Sequence, residues 1–511
     1  MEDPSNSPPE GDGGKKSPEK EDLTSRTLTN YMWMLAGGGS EAILKIAILL
    51  ILARLLTPAD FGVVSAALTV VALAEISGQI GIAPSIVQVK KLTRSHVETG
   101  FVTTLFLGVV LAILFYLLSE PIARLYRMPE VEPLVEVFAL LFIIKGAGLV
   151  SEALLLRNMQ FRAVAMLSLI SYSIGYGSVA VTLAMMDYGA WALVWAQLAQ
   201  ASLLTLGFLA LARDQLGFGF KWQAFTGMLN FGFGFSLVRI GNYTSQNADF
   251  FVVGRLLGAD ALGLYSRAFV LMATPARLVG QMGDRVLFPT LATIQDDRAR
   301  LQRALNRALS LAAMLQLPMT ALLLVSAPEI IVVLMGEQWA PAIIPFQILV
   351  CTLFFRTAYK FINAILRAAG RVYVAALWQW IYAASVVAGA YFGVKAGLAG
   401  VAVGVGAAIA FCYFVGLYVV FRFIGVDTSE SLRRLFIYII VGVALSAAMF
   451  GLRLLLLPIL GGLLTLLTLF ASLGLFYVVV FVWTPSLFGG EGEVLRERFL
   501  TRLNKRSSSK A

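Results

Sequence analysis

The residues of this 511-residue chain best suited to chemistry are charges set inside long apolar runs. Glu41 and Lys45 are four apart and share a helix face, as do Glu75 and Gln79, and Arg356 and Lys360. Lys145 stands in a run of its own. Arg239 precedes Asn242, Asn247 and Asp249; Arg267 precedes Arg277, Gln281 and Asp284; Asn363 follows Lys360. A charge at the centre of a bilayer costs roughly 2.5–3.5 kcal/mol on insertion scales, so such side chains turn towards a bundle interior or a watery cavity. Seven of these charges are basic (Lys45, Lys145, Arg239, Arg267, Arg277, Arg356, Lys360) and four acidic (Glu41, Glu75, Asp249, Asp284). Surplus positive charge calls for an anion, and the planar guanidinium fork suits phosphate and carboxylate. The expected chemistry is recognition: a cationic cavity for a phosphate-bearing or acidic substrate. Arg239 is its foremost member, mid-run among Gly232, Gly234 and Gly241. Arg267, Asp284, Arg356 and Lys360 have a second reading, snorkelling to the interface if their runs end a few residues away. Glu41 and Lys45 serve equally as a structural pair. Phe231, Phe233, Phe235, Trp378, Trp380 and Tyr382 would stack on sugar rings in a water-filled cavity, although lipid-facing packing is the commoner use of such residues.

Bond-making chemistry has little to work with. No GxxxxGK[ST] loop occurs, so no ATP engine of that type is expected. Asp296 and Asp297 open a basic amphipathic stretch and read as a solvated helix start, not a metal site. His96, the only histidine, lies in a basic loop and cannot build a histidine metal site alone. Cys351 and Cys412 fall in separate apolar runs and read as small buried residues without a disulfide framework. Neither an enzyme nor a cofactor is expected.

The elements that must position these charges follow from composition. Hydrophobic residues make up 59% of the chain and charged residues 14%, with a mean hydropathy of +0.81. Lipid offers no partners to backbone N–H and C=O groups, so each run must be a helix or part of a closed barrel. The alternation of a barrel strand is absent. The expected class is an all-α integral membrane protein with about fourteen transmembrane helices, by the roughly 20-residue criterion for crossing a bilayer. The spans are 29–53, 61–88, 99–119, 134–156, 163–186, 189–212, 226–250, 259–287, 306–334, 342–366, 372–393, 397–421, 435–457 and 460–483. With the first residue on the cytoplasmic side, 27 of the 40 Lys and Arg fall in the tails and inner loops and 6 in the outer loops. This bias orients the chain with both termini cytoplasmic and accounts for the net charge of +10 without nucleic acid. Residues 1–24, rich in Pro, Gly, Ser, Glu and Lys, read as a disordered tail and not as a signal or transit peptide.

An internal repeat divides the spans. Residues 53–67 read ARLLTPADFGVVSAA and residues 254–268 read GRLLGADALGLYSRA. Arg54 matches Arg255, Leu55 and Leu56 match Leu256 and Leu257, Gly62 matches Gly263, and Ser65 matches Ser266. Gly78-Gln79 echoes Gly280-Gln281, and Leu156-Arg157 echoes Leu366-Arg367. The copies lie six spans apart and share one orientation, which makes two parallel lobes about an axis along the membrane normal, a transporter design. The expected units are a tail (1–24), an N-terminal six-helix lobe (25–213), a C-terminal six-helix lobe (214–424), two additional helices (425–485) and a basic tail (486–511).

The repeated RLL(T/G)xxxxG segments and the six-plus-six plan resemble polysaccharide flippases of the multidrug/oligosaccharidyl-lipid/polysaccharide exporter superfamily. Residues 254–305, GRLLGADALGLYSRAFVLMATPARLVGQMGDRVLFPTLATIQDDRARLQRAL, are most similar to the branch of the colanic acid exporter and lipopolysaccharide biosynthesis proteins. The resemblance implies translocation of undecaprenyl-diphosphate-linked oligosaccharide units across the cell inner membrane by alternating access. It implies an anionic lipid-linked oligosaccharide as partner, with a polymerase and glycosyltransferases as neighbours. It further implies an H⁺ or Na⁺ gradient as driving force, with Glu41, Glu75 or Asp249 as the coupling carboxylate. Three other readings stay open: a flippase for the peptidoglycan lipid precursor, a drug/cation antiporter of the same superfamily, and a non-transporting scaffold for a polysaccharide synthase. Surplus buried bases speak against the antiporter, which would need surplus acids.

Overall fold

The computed structural model describes residues 43–79, 81–282, 297–425 and 429–483, and all regular structure among them is helical. Helix α1 is described over 43–55. The rest of the N-terminal lobe is α2 (Pro58–Gly78), α3 (Ile82–Gln88), α4 (Arg94–Leu117), α5 (Ser119–Tyr126), α6 (Val131–Phe138), α7 (Leu140–Arg157), α8 (Phe161–Tyr172), α9 (Val181–Met185) and α10 (Ala190–Ala212). A π-helical stretch, Ser173–Ala180, joins α8 to α9. The C-terminal lobe comprises α11 (Trp222–Met282), α12 (Arg298–Val325), α13 (Ile343–Cys351), α14 (Leu353–Ala368), α15 (Val372–Gly393) and α16 (Gly397–Ile424), and α17 (Ser429–Trp483) follows.

Ten segments among the described residues are long and apolar enough to cross a membrane. Three of them, Arg239–Thr274, Tyr373–Ile424 and Leu432–Val479, turn back on themselves. Glycines make the reversals: Gly258 (φ 89°), Gly397 (φ 69°) and Gly461 (φ 72°) hold a left-handed backbone that other residues rarely adopt. The two arms of α11 then pack antiparallel, with the Phe250 ring edge-on to Tyr265 at 5.8 Å and to Phe269 at 5.1 Å.

The repeat is visible at the start of each second helix, with a different local solution in each copy. In the first, Thr57 caps α2 in a capping box: Asp60 N donates to Thr57 Oγ1 (3.3 Å) and Thr57 N donates to Asp60 Oδ2 (2.9 Å). In the second, Gly258 stands where Thr57 stood, and its backbone makes the turn unaided.

Two smaller expectations have outcomes. Asp297 N-caps α12 by accepting from Arg300 N (3.0 Å), the helix start its sequence suggested. Cys412 is buried, but Cys351 is exposed, because the last turn of α13 leaves its sulfur outside the packed face.

The last two helices have a clear attachment. Met449, Leu469 and Leu473 of α17 close on Ala321, Leu322 and Val325 of α12. Arg453 forms a buried ion pair with Glu329 (2.7 Å), and Tyr477 OH donates to the Leu315 carbonyl. Their outer faces, with Leu455, Ile459, Leu467 and Leu475, stay exposed and apolar.

Candidate functional site between the lobes

The lobes meet along a seam between α2 and α11, and the repeat builds one end of it. A Cβ on Gly62 would sit 1.8 Å from the Ala259 carbonyl oxygen, and one on Gly263 would sit 1.8 Å from the Pro58 carbonyl oxygen. Pro58 and Ala259 are themselves matching positions of the two copies, so the contact is reciprocal, as a two-fold axis requires. Just inside it the matched serines meet, with Ser65 Oγ donating to Ser266 Oγ (3.1 Å). The matched arginines also cross over. Arg54 donates to the carbonyls of Val333 and Leu334 in the C-terminal lobe, and Arg255 donates to the Arg124 carbonyl (3.0 Å) in the N-terminal lobe. Each reaches a carbonyl near the end of a short helical segment, that of Arg124 also accepting from Arg127 N (3.2 Å). Trp339 Nε1 donates to the Ala53 carbonyl (2.7 Å) and adds a further tie.

The other end of the seam lies beside the basic loop of Lys90, Lys91 and Arg94. Gly81, in a left-handed turn (φ 64°), packs backbone on backbone: a Cβ there would lie 2.1 Å from the Gly232 Cα. Ser85 Oγ donates to the Met228 carbonyl (3.3 Å) one turn further on. Gly62 and Gly81 are separated by 19 positions. At 1.5 Å per residue that is about 28 Å, close to the thickness of a bilayer core. The seam is therefore closed by backbone contact at both ends.

The charges expected to line one cavity fall into three groups. The first is in the N-terminal lobe beside the basic end. Lys145 Nζ pairs with Glu75 Oε2 (2.7 Å), with the side chains 34% and 22% exposed. Gln79 Nε2 donates to Glu75 Oε1 (3.5 Å), and Arg239 Nη1 crosses from α11 to donate to Gln79 Oε1 (2.7 Å). Glu75, Gln79 and Lys145 line a small cleft between α2, α4 and α7, together with Gly78, Gly108 and Gly146. Glu152, two helical turns beyond Lys145 on α7, lies within Coulombic reach of Glu75, Arg239 and Lys145.

The second group lies between the lobes. Arg267 of α11 sits 4.8 Å from the centre of the Phe61 ring, and its Nη2 donates to Ser65 Oγ (3.5 Å). It lies within Coulombic reach of Tyr176 and Tyr172, whose rings stack at 4.9 Å. Lys45 Nζ stands 5.3 Å over the Tyr172 ring, and Tyr176 OH donates to Gln197 Oε1 (2.6 Å). Two cations from different lobes thus flank a pair of tyrosines. No carboxylate lies within ion-pair distance of Arg267 among the described residues, and its Nε is buried without a partner.

The third group is sealed within the C-terminal lobe. Asp249 is fully buried; Tyr265 OH donates to its Oδ2 (2.8 Å) and Phe250 N to its Oδ1 (3.1 Å). Arg356, within Coulombic reach of Asp249, lies 4.5 Å over the Phe269 ring. Lys360 follows one turn later on α14. Nearby, Gln379 accepts from Asn363 (2.9 Å) and Tyr359 (3.1 Å) and donates to Ser245 (2.6 Å). Trp378 and Tyr382 are buried in this packing and Trp380 is exposed. Glu41, Asp284 and the side chains of Arg277, Phe231, Phe233 and Phe235 lie outside the described residues.

Sequence reasoning passed over Glu152, Tyr172, Tyr176 and the Glu329–Arg453 pair. Glu152 had a signal: it sits seven residues after Lys145, on the same helix face.

Two helical lobes related by the repeat and joined along its seam, with basic side chains between them, define a two-lobed all-helical membrane fold. Residues 51–344 match the family described as polysaccharide biosynthesis protein, and the chain belongs to that family. It is 33% identical over 322 residues to a succinoglycan biosynthesis transport protein of Rhizobium meliloti; the alignment covers 63% of this chain and 65% of that relative's length. It is 26% identical over 352 residues to a lipopolysaccharide biosynthesis protein of Escherichia coli, covering 68% of this chain and 71% of the relative. Among solved structures, it is similar in fold to a lipid II flippase in an inward closed conformation, with a TM-score of 0.63 at 16% identity over 89% of this chain and 99% of that one. An inward-facing multidrug transporter of the multidrug/oligosaccharidyl-lipid/polysaccharide exporter superfamily aligns with a TM-score of 0.62 at 16% identity over 75% of this chain and 94% of that one.

Proposed function

We propose that the chain is a flippase that moves undecaprenyl-diphosphate-linked oligosaccharide units across the inner membrane by alternating access, supplying exopolysaccharide or lipopolysaccharide synthesis. The family, and the transport of polysaccharide precursors in its relatives' names, support the substrate class. The observation that carries the reading is Arg267, a buried guanidinium between the lobes with an unpartnered Nε, Lys45 across from it and two stacked tyrosines alongside. A guanidinium held among aromatic faces is a receptor for phosphate, and the tyrosines offer a stacking surface to the first sugar. The seam ends at Gly62/Gly263 and Gly81/Gly232 would part in turn. The basic loops put Lys90, Lys91 and Arg94, and both termini, on the cytoplasmic side. Glu75, in its cleft, is the carboxylate best placed to couple an H⁺ or Na⁺ gradient. A polymerase and glycosyltransferases acting on the same lipid-linked unit would be its functional partners.

The test is Arg267→Ala beside Arg267→Lys in a strain lacking the chromosomal copy. Expected are loss of polysaccharide export and accumulation of the lipid-linked unit with Ala, and partial recovery with Lys. Normal export with a folded Arg267→Ala protein overturns the reading.

A further inference from the structure

We propose that Glu75, Glu152, Lys145 and Arg239 form a cation-uptake site whose charge balance is broken when the lobes part at the Gly81–Gly232 end, so that one monovalent cation must enter for that end to open. The idea rests on the transport reading only in taking the lobes to separate there.

The closed site holds two carboxylates and two bases, and its formal charge is zero. Three of the four groups belong to α2 and α7 of one lobe. Arg239 alone comes from the other lobe, held through Gln79, which also donates to Glu75. Gln79 lies two residues before the Gly81–Gly232 crossing, so α11 cannot leave Gly81 without withdrawing Arg239. What stays behind is Glu75, Glu152 and one ammonium already committed to Glu75. Glu152 makes no hydrogen bond or ion pair among the described residues. A second uncompensated carboxylate in a membrane interior costs several kcal/mol, so the open form is accessible once a positive charge replaces Arg239. The cleft lined by Glu75, Gln79 and Lys145 supplies the route in. The titratable and charged groups facing Glu75 are Lys145 and Glu152 from α7 and Arg239 and Tyr243 from α11; α4 contributes the neutral Thr104. Lys145 and Arg239, candidates for substrate binding by sequence, are here compensated groups that position the uptake site.

Charge counting gives opposite signs for two substitutions. Glu152→Gln leaves the open form neutral with no cation bound, so the end opens without uptake. Lys145→Gln leaves the open form with two uncompensated carboxylates, so opening needs more.

The measurement is maleimide labelling of Ser85→Cys, a buried position at the crossing, in inside-out vesicles carrying the full chain with Cys351→Ser and Cys412→Ala. Labelling is expected to rise about tenfold from pH 8 to pH 6, the ceiling for uptake of one proton being tenfold per pH unit. A rise at fixed pH on exchanging N-methylglucamine for sodium identifies Na⁺ as the ion instead. Glu152→Gln is expected to label fast at every pH, and Lys145→Gln slowly above its rise, which moves to higher pH because a carboxylate that loses its ammonium neighbour takes up a proton more readily. Labelling indifferent to both pH and sodium, or the two variants moving in the same direction, overturns the proposal. The assay contains no lipid-linked sugar, so its failure leaves the flippase reading standing. A chain with this response that flips no lipid-linked oligosaccharide overturns the flippase reading alone.

Discussion

Each lobe sets a carboxylate near an arginine inside the membrane, but the surroundings are opposite. Glu75 and Lys145 line a cleft, a fifth to a third exposed, and are tied to the other lobe through Gln79 and Arg239. Asp249 is fully buried and fixed by Tyr265 and its neighbouring amide, with Arg356 close by in the same lobe. A charge whose partner sits on the other lobe changes its surroundings if the lobes part. A charge whose partners move with it does not. The same residue types therefore fit the proposed uptake site in one lobe and a structural tie in the other.

The largest expected effect tests the structural half. Asp249→Ala should destabilise the protein by about 3–5 kcal/mol, the usual result of orphaning a buried charge, and appear as a lowered thermal midpoint in detergent. A stable Asp249→Ala protein that fails only in transport would erase the distinction. Arg453→Ala should cost about 3 kcal/mol by the same logic, leaving Glu329 buried and unpaired. Limited proteolysis should then release the last two helices first. The repeat-derived crossing comes next. Gly62→Val and Gly263→Val each place a side chain against backbone and should weaken the closed form by about 1–3 kcal/mol. Cross-linking between α2 and α11 should fall in both alike, and unequal losses would show that the seam is not reciprocal. The smallest stability effect belongs to Glu75→Ala with Lys145→Ala, about 1 kcal/mol or less for a partly exposed pair. That double variant still leaves Glu152 uncompensated in the open form and should keep its response to pH in the labelling assay, which Glu152→Gln removes.

Much of the seam was legible in the sequence. Arg54, Gly62 and Ser65 recur as Arg255, Gly263 and Ser266, and each pair takes part in the same junction. The carbonyls that receive the two arginines were not legible. Those of Val333 and Leu334 lie 279 and 280 positions from Arg54, and no local pattern marks a backbone acceptor.

By itself the sequence determined that this chain crosses a membrane as helices, that it is built from two parallel copies, and that its embedded charges are mostly basic. Those properties follow from local rules: lipid leaves the backbone no partners but its own, and repetition and sign are read residue by residue. Only the tertiary structure decided which bases share a site. Arg239, Arg267 and Arg356 are alike in type and setting along the chain, yet one joins Gln79 and Glu75, one stands between the lobes with two tyrosines, and one lies beside Asp249. The difference arises because a helix presents side chains all round, and which neighbour each meets depends on how the lobes pack.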